Sequence, residues 1–266
     1  MIISWFSGGV TSAVACKIAL QMYDNVVPVF IETGGHHEDM PRFIKDCEKW
    51  FGKRVLVLQD KRYKDHIDLC EKLRVVNFVT GAECSRTLKK KVRQKYEKTV
   101  NFKGQIFGFE FEKSQINRAL RFQEQNPETK PLFPLIEKFL SKAACMTILR
   151  NEGIEIPTMY KLGYANNNCV GCVKGGMGYW NKIRIDFPEQ FKRMARVERK
   201  LGRTCIKRTY LDELDPERGR HNSPPLPECD YFCEIEFAEI ISAKTLEIWE
   251  EGLTTTGTIK ILEKGL

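Results

Sequence analysis

The chain has 266 residues, 42% hydrophobic and 29% charged, an ordinary globular composition that suffices for one large domain or a domain with an appendage. No run approaches the roughly 20 apolar residues that cross a bilayer, and the first residues lack a basic flank and a small-residue cleavage site. Residues 1–6 therefore read as a first strand rather than a signal peptide, and a cytoplasmic protein without a membrane partner is expected. The net charge of +8, from 43 Lys and Arg against 35 Asp and Glu, suits an anionic ligand such as a nucleotide and is compatible with nucleic acid.

Apolar runs at residues 2–6, 26–31, 55–58 and 105–109 predict short strands buried on both faces. Helical periodicity predicts helices at 12–23, 39–51, 65–73 and 86–98, then at 114–125, 136–151 and 188–201. Strands alternating with helices predict an α/β fold with a largely parallel sheet. Ligands in such sheets bind beyond the C-terminal ends of the strands, where Ser7, Glu32 and Gly108 fall. Regularity fades after about residue 202. Asp215-Pro216, Pro224-Pro225 and Pro227 mark an irregular connection, and a last helix is predicted near 243–251.

Residues 2–6, followed by Ser7-Gly8-Gly9-Val10-Thr11-Ser12 and a helix, form a strand–turn–helix unit. Two glycines let the backbone approach an anion closely, and successive N–H groups with the positive end of the helix can cradle a phosphate. Hydroxyls of Ser7, Thr11 and Ser12 can add hydrogen bonds or cap the helix. An ordinary glycine turn capped by Ser or Thr is the competing reading. Position after the first strand, with an apolar helix behind, favours phosphate.

Ser7 to Ser12 resembles the SGGxDS signature of the PP-loop ATP pyrophosphatases, the adenine nucleotide alpha-hydrolase superfamily. Later segments resemble its phosphoadenosine phosphosulfate reductase-like branch, in order. They are Ile31-Glu32-Thr33-Gly34 with Glu38, Cys84-Ser85-Arg86-Thr87-Leu88-Lys89, and Gly108 with Glu112, Ser114 and Arg118. Pro131-Leu132, Tyr160-Lys161-Leu162-Gly163 and Cys169-Val170-Gly171-Cys172 follow, so the resemblance spans residues 2–201. It implies a Rossmann-like, HUP-type parallel sheet with helices on both faces, and a domain over residues 1–202 with an irregular C-terminal extension over 203–266. It further implies an ATP site, with Mg2+, at Ser7, Gly8, Gly9, Val10, Thr11, Ser12, Glu32, Thr33, Gly34, Gly108, Glu112 and Arg118. Ser7, Thr11, Arg86 and Lys89 are the implied catalytic groups.

The chain departs from the family at two places. The signature's Asp is Thr11, a neutral hydroxyl that keeps helix capping and phosphate binding better than catalysis. No cysteine follows Cys233, so the C-terminal Glu-Cys-Gly motif of thiol-dependent sulfonucleotide reductases is missing.

Ten cysteines in a chain expected to be cytoplasmic point to metal or redox chemistry before disulfides. Cys169-Val170-Gly171-Cys172 can place two thiolates on one metal or cluster, while a reduced buried pair or a structural zinc loop remain alternatives. Iron–sulfur reductases of the branch pair a double-cysteine element with the later Cys-x-x-Cys; here the first element is Glu83-Cys84. The resemblance thus implies three ligands, Cys84, Cys169 and Cys172, for a 4Fe–4S cluster, with zinc as the alternative metal. A fourth ligand could come from Cys145, which otherwise reads as a core residue, or from Glu83; Cys229 and Cys233, in the Pro-rich tail, read as loop cysteines, and Cys16, Cys47, Cys70 and Cys205 as structural.

His36-His37 follows the second predicted strand, as a ligand contact or a solvated pair. Arg86, Lys89, Lys90, Lys91, Arg93, Lys95 and Lys98 make the next helix strongly basic; the first two lie nearest the site, and the others offer a nucleic-acid backbone contact or a solvated face. The preferred reading is an enzyme that cleaves ATP to AMP and pyrophosphate to adenylylate a nucleic-acid or small-molecule acceptor. A sulfur or nitrogen nucleophile then displaces AMP, with a sulfur- or electron-donor protein as partner. Two readings stay open beside it: reduction of a sulfonucleotide, and a non-catalytic nucleotide-binding subunit or sensor. Oligomeric state leaves no mark on the sequence.

Overall fold

The computed structural model describes residues 1–78 and 81–219. β1 (Ile2–Trp5) leads through α1 (Val10–Met22) to β2 (Val26–Glu32), then α2 (Met40–Phe51), β3 (Leu56–Gln59) and α3 (His66–Leu73). A short antiparallel pair, β4 (Asn77–Phe78) and β5 (Gly81–Ala82), precedes a π-helical segment, Ser85–Lys90, which continues into α4 (Lys91–Glu97). β6 (Gly104–Ile106), α5 (Lys113–Gln125) and β7 (Pro131–Leu132) follow. The described chain then turns helical through α6 (Pro134–Glu137), α7 (Lys142–Asn151), α8 (Thr158–Lys161), α9 (Met177–Asp186) and α10 (Pro188–Leu201).

The main sheet has the order β3-β2-β1-β6-β7, and every neighbouring pair is parallel. The chain winds outward from β1 to β3, then returns to lay β6 on the other side of β1. Strand order therefore reverses between β1 and β6, and a crevice opens there above the C-terminal ends. Side chains alternate across the strands. Ile2, Phe6, Val26, Phe30 and Ile106 pack into a core with α1, α2 and α7, which includes Val14, Phe43, Cys145 and Leu149. The opposite face is covered by α4 and α5: Tyr96 meets Trp5 edge-on at 6.3 Å, and Phe122 meets Phe107 at 4.6 Å. The α/β parallel-sheet architecture expected from the sequence is the one observed. Among the described residues no helix is long and apolar enough to cross a membrane.

A second core joins α3, α9 and α10 around Trp180, Ile183, Met194 and Ile67, and takes in Leu211 and Leu214. Residues 203–219 thus pack against α10. Glu198, fully buried in α10, fixes this return by accepting the Cys205 N–H at 2.5 Å and the Leu211 N–H at 2.7 Å. Glu198→Ala removes the shared acceptor of the Cys205 and Leu211 N–H groups, so a loss of about 2 kcal/mol is expected in urea unfolding.

Several boundaries differ from expectation. The helix expected over 136–151 is two helices, because Phe139 adopts φ +57 and Ser141 starts α7 anew, its side chain accepting the Ala144 N–H at 3.1 Å. β7 and α9 carried no periodic signal, the first being two residues long and the second opening on glycines. The helix expected near 243–251, with Cys229 and Cys233, lies outside the described residues.

Candidate active site

The Ser7–Ser12 turn begins at the C-terminal end of β1. Gly8 takes φ +79, a conformation that favours glycine. The turn braces itself: Ser12 Oγ accepts from Ser7 N and from Ser7 Oγ, each at 3.0 Å, and donates to Gly9 O at 2.9 Å. Ser12 is therefore buried as a brace, while Ser7 is exposed and Thr11 half-buried. Helices α3, α5 and α7 carry side-chain caps from Asp65, Glu112 and Ser141, but α1 has Gly9 at its N-cap and no side-chain cap. An uncapped N-terminus of a 13-residue helix keeps N–H groups and a partial positive charge for an outside anion.

Two residues from the later helical region hold the turn in place. Asn167 Nδ2 donates to Gly8 O at 2.7 Å. Tyr160 Oη takes the Val10 N–H, and a Cβ on Gly9 would stand 3.2 Å from that oxygen. Tyr160 falls within a segment of the resemblance without a site role, and Asn167 carried no signal, because 159 positions separate it from its partner.

Ser7 opens onto a cavity of about 1100 Å³ above the sheet. Its floor is apolar, from Trp5, Phe6, Val29, Ile31 and Phe107, and its walls carry Arg86, Lys89, Lys90, Arg93, Arg118 and Lys174. Glu83 is the carboxylate among the lining residues, and it is occupied. It accepts from Arg86 Nε at 2.8 Å and Thr87 Oγ1 at 2.6 Å, and these partners outweigh burial to hold its pKa below the usual carboxylate value. Arg93 pairs with Glu97 at 3.2 Å, whereas Lys89, Lys90, Lys174 and Arg118 have no ion-pair partner among the described residues. The cavity therefore presents net positive charge over an aromatic floor, a combination suited to a planar base bearing phosphates.

The predicted residues divide. Ser7, Arg86, Lys89 and Arg118 meet at this cavity. Gly108 lies against the first turn of α1, where a Cβ would come within 2.7 Å of Ser12 Cα. Glu112 does not line the cavity; it is exposed, caps α5 through Ser114 N at 3.1 Å and bonds the Ser114 hydroxyl. Of Glu32, Thr33 and Gly34, none lines the cavity directly, and Thr33 reaches the cysteine loop. Glu32 accepts from Gly34 N at 2.6 Å and pairs with His36 at 3.0 Å. Thr33 Oγ1 lies 3.1 Å from Cys169 Sγ, and Gly34, at φ +72, would drive a Cβ to within 1.7 Å of Lys64 O.

Cys84, Cys169 and Cys172 are close enough for their charges to act on one another. Among the described residues, however, no three His, Cys, Asp or Glu side chains converge in a way that could hold a metal ion. Cys169 Sγ lies 3.1 Å from Thr33 Oγ1. Burial opposes a thiolate there, yet hydrogen bonding and charge from His66, aided by His36 and Lys89, bring the Cys169 thiol down to about 6. Burial pushes Cys84 the other way, up to about 11. His66, 103 positions before Cys169, carried no signal in the sequence.

The phosphoadenosine phosphosulfate reductase domain model matches residues 1–175. An uncharacterized protein of Methanocaldococcus jannaschii is 23% identical over 201 residues, 74% of this chain and 47% of the relative, so the chain spans about half of that relative's length. The crystal structure of phosphoadenylyl-sulfate reductase from Candida auris, in a phosphate complex, aligns at a TM-score of 0.49 with 13% identity, over 63% of this chain and 80% of that one. The PP-loop turn, its position at the strand-order reversal and the match over residues 1–175 place the chain in the phosphoadenosine phosphosulfate reductase domain family.

Proposed function

We propose that this protein binds ATP, with Mg2+, in the cavity above β1 and β6 and cleaves it to AMP and pyrophosphate to adenylylate an acceptor for sulfur transfer. The observation that carries the reading is the uncapped α1 N-terminus opening beside Ser7 into a cavity walled by six cationic side chains. The adenine lies over Phe107 and Phe122, and the phosphates lie toward Ser7, Lys89 and Arg86. Pyrophosphate gathers negative charge as it leaves, and fixed N–H groups and Lys89 stabilise that charge without reorganising. Thr11 supplies a hydroxyl and no carboxylate, so a Mg2+ ion bound with ATP would draw no carboxylate from this turn.

Calorimetry with a nonhydrolysable ATP analogue tests the binding step. Lys89→Ala is expected to weaken affinity about tenfold, the order of one charge-assisted hydrogen bond. Unchanged affinity in Lys89→Ala and in Ser7→Ala would place the nucleotide elsewhere. The family match favours a second reading, reduction of a sulfonucleotide. Sulfite release from phosphoadenosine phosphosulfate, without pyrophosphate release from ATP in the presence of candidate acceptors, would select it.

A further inference from the structure

The positive charge of the chain is not spread evenly. Residues 86–130 carry twelve Lys and Arg against five Asp and Glu, so this stretch accounts for nearly all of the net +8. It folds into α4 with its π-helical lead, β6 and α5, and the two helices wall the cavity. Three of the five carboxylates are already engaged: Glu97 pairs with Arg93, Glu110 pairs with Lys142, and Glu112 caps α5. Lys90, Lys91, Lys95 and Arg121 are exposed and have no ion-pair partner among the described residues. On α10 the cations are neutralised instead, Arg193 by Asp65, Arg199 by Asp212 and Lys200 by Glu71.

The shape of the cavity suits a chain-like anion. Arg86, Lys89, Lys90 and Arg93 line one wall at the spacing of a single helical face, and Arg118, Phe122, Gln125 and Asn126 line the other in the same way. The cavity is therefore a trough between α4 and α5, and each stripe runs for about 10 Å along its helix. Lys91 and Arg121, outside the lining, extend the charge past both walls.

Three aromatic rings lie along the trough. Phe107 and Phe122 receive the adenine in the reading above, and Trp5 is left over. Its indole Nε1 donates to the buried Gln105 Oε1 at 2.6 Å, and Tyr96 stands edge-on to it at 6.3 Å, so the ring is fixed. A fixed ring beneath a row of cations is the arrangement that holds a stacked base and its phosphates. The ring lies on the floor and not on the rim, so only an unpaired base reaches it.

We propose that the acceptor is a single-stranded nucleic acid, which crosses the trough from α4 to α5 with its phosphates on Lys90, Lys91 and Arg121 and one unpaired base over Trp5. The inference rests on the adenylylation reading above and names its acceptor. An oxygen of the strand bonds to the α-phosphorus of ATP, the bond from that phosphorus to the bridging oxygen breaks, and pyrophosphate leaves with the electron pair. A proton on the attacking oxygen passes to water. The strand is left carrying AMP, and no oxidant or reductant is needed.

The test uses the full chain and a fluorescein-labelled single strand of about 16 nucleotides, prepared as RNA and as DNA, with duplex DNA and inorganic polyphosphate as competitors. Fluorescence anisotropy is expected to show both single strands bound, neither competitor matching them, and affinity falling as salt rises. Lys91→Glu combined with Arg121→Glu removes two phosphate contacts outside the nucleotide's own site, so the log–log salt slope is expected to shrink by about 1.4. Both positions are exposed, so the fold is kept. Trp5→Leu is expected to weaken strand binding about tenfold, the order of one base–aromatic stack. Pyrophosphate release from ATP is expected only when a single strand is present. Competition by duplex or polyphosphate as strong as by the strand itself, a salt slope unmoved in the double variant, or strand binding without strand-dependent pyrophosphate release would each overturn the inference. ATP-analogue affinity on the same samples separates the two readings. Intact, it confines a failure to the strand; absent from wild type, it overturns the nucleotide site and this inference with it.

Discussion

Gly108→Ala is expected to weaken nucleotide binding at least about tenfold while leaving a folded protein of lower stability. Gly108 follows β6, and its missing side chain is what lets that loop touch the first turn of α1. A Cβ there would lie 2.7 Å from Ser12 Cα, 2.8 Å from Ser12 N and 3.1 Å from the Thr11 carbonyl carbon. All three are backbone atoms, so no rotamer change relieves the contact. The loop cannot retreat easily either, because Phe107 N is bonded to Leu132 O of β7 at 3.1 Å and the Phe107 ring is packed on Phe122. The first turn of α1 must therefore move, and that turn carries the N–H groups proposed to hold phosphate. Overpacking of this kind costs about 1–3 kcal/mol of stability. Displaced donors should cost at least about 1.4 kcal/mol more in binding, a further tenfold or greater loss. Gly176→Ala is the control, since a Cβ there meets nothing within 4 Å. Calorimetry and urea unfolding on both variants decide the point. Wild-type affinity in Gly108→Ala would show that the phosphates do not sit on α1.

What the sequence disclosed follows from how far each signal reaches along the chain. The strand–glycine turn–helix of residues 2–23 is local, so both the turn and the parallel alternation behind it could be read from spacing. The reversal of strand order between β1 and β6 is a long-range property, and only the resemblance hinted that Gly108 belongs beside Ser12. Glu32, Thr33 and Gly34 show the limit of carrying over a motif. They do follow β2, but Thr33 Oγ1 lies against Cys169 and Gly34 against Lys64, contacts that no periodicity contains. Glu112 reads in sequence as a pocket carboxylate equally well as an N-cap, and Ser114 two residues later decides for the cap. The basic stretch of residues 86–98 was legible as charge but not as direction. Arg86, Lys89 and Lys90, at i, i+3 and i+4, share one face of the helical segment beginning at Ser85, and only the fold shows that this face lines the cavity.

Alkylation of Cys169 by iodoacetamide is expected to follow a titration with its midpoint near pH 6, set apart from every other thiol in the site. The thiolate is the reactive form, so the rate falls as pH drops through the midpoint and is flat above it. Burial alone would favour the thiol and move the midpoint upward. The His66 hydrogen bond and charge reverse this, with His36 and Lys89 adding to the effect, and bring Cys169 from an ordinary 9.0 to about 6. The partner shifts in the complementary direction. Burial disfavours the imidazolium, but the Cys169 sulfur, the Gly171 carbonyl and Asp65 together raise the His66 pKa. Near neutral pH Cys169 is therefore mostly thiolate, and the fraction ready to react exceeds that of an ordinary thiol by about two orders of magnitude. Cys172 and Cys84 are both raised, chiefly by burial, Cys84 to about 11, so they should react only under alkaline conditions. His66→Gln removes the favourable charge and keeps the burial, so its Cys169 midpoint should rise above 9. Low exposure slows reagent entry in wild type and variant alike, which makes the midpoint and not the absolute rate the quantity to compare. A wild-type midpoint close to 9, or one unmoved by His66→Gln, would show that the imidazole does not govern this sulfur.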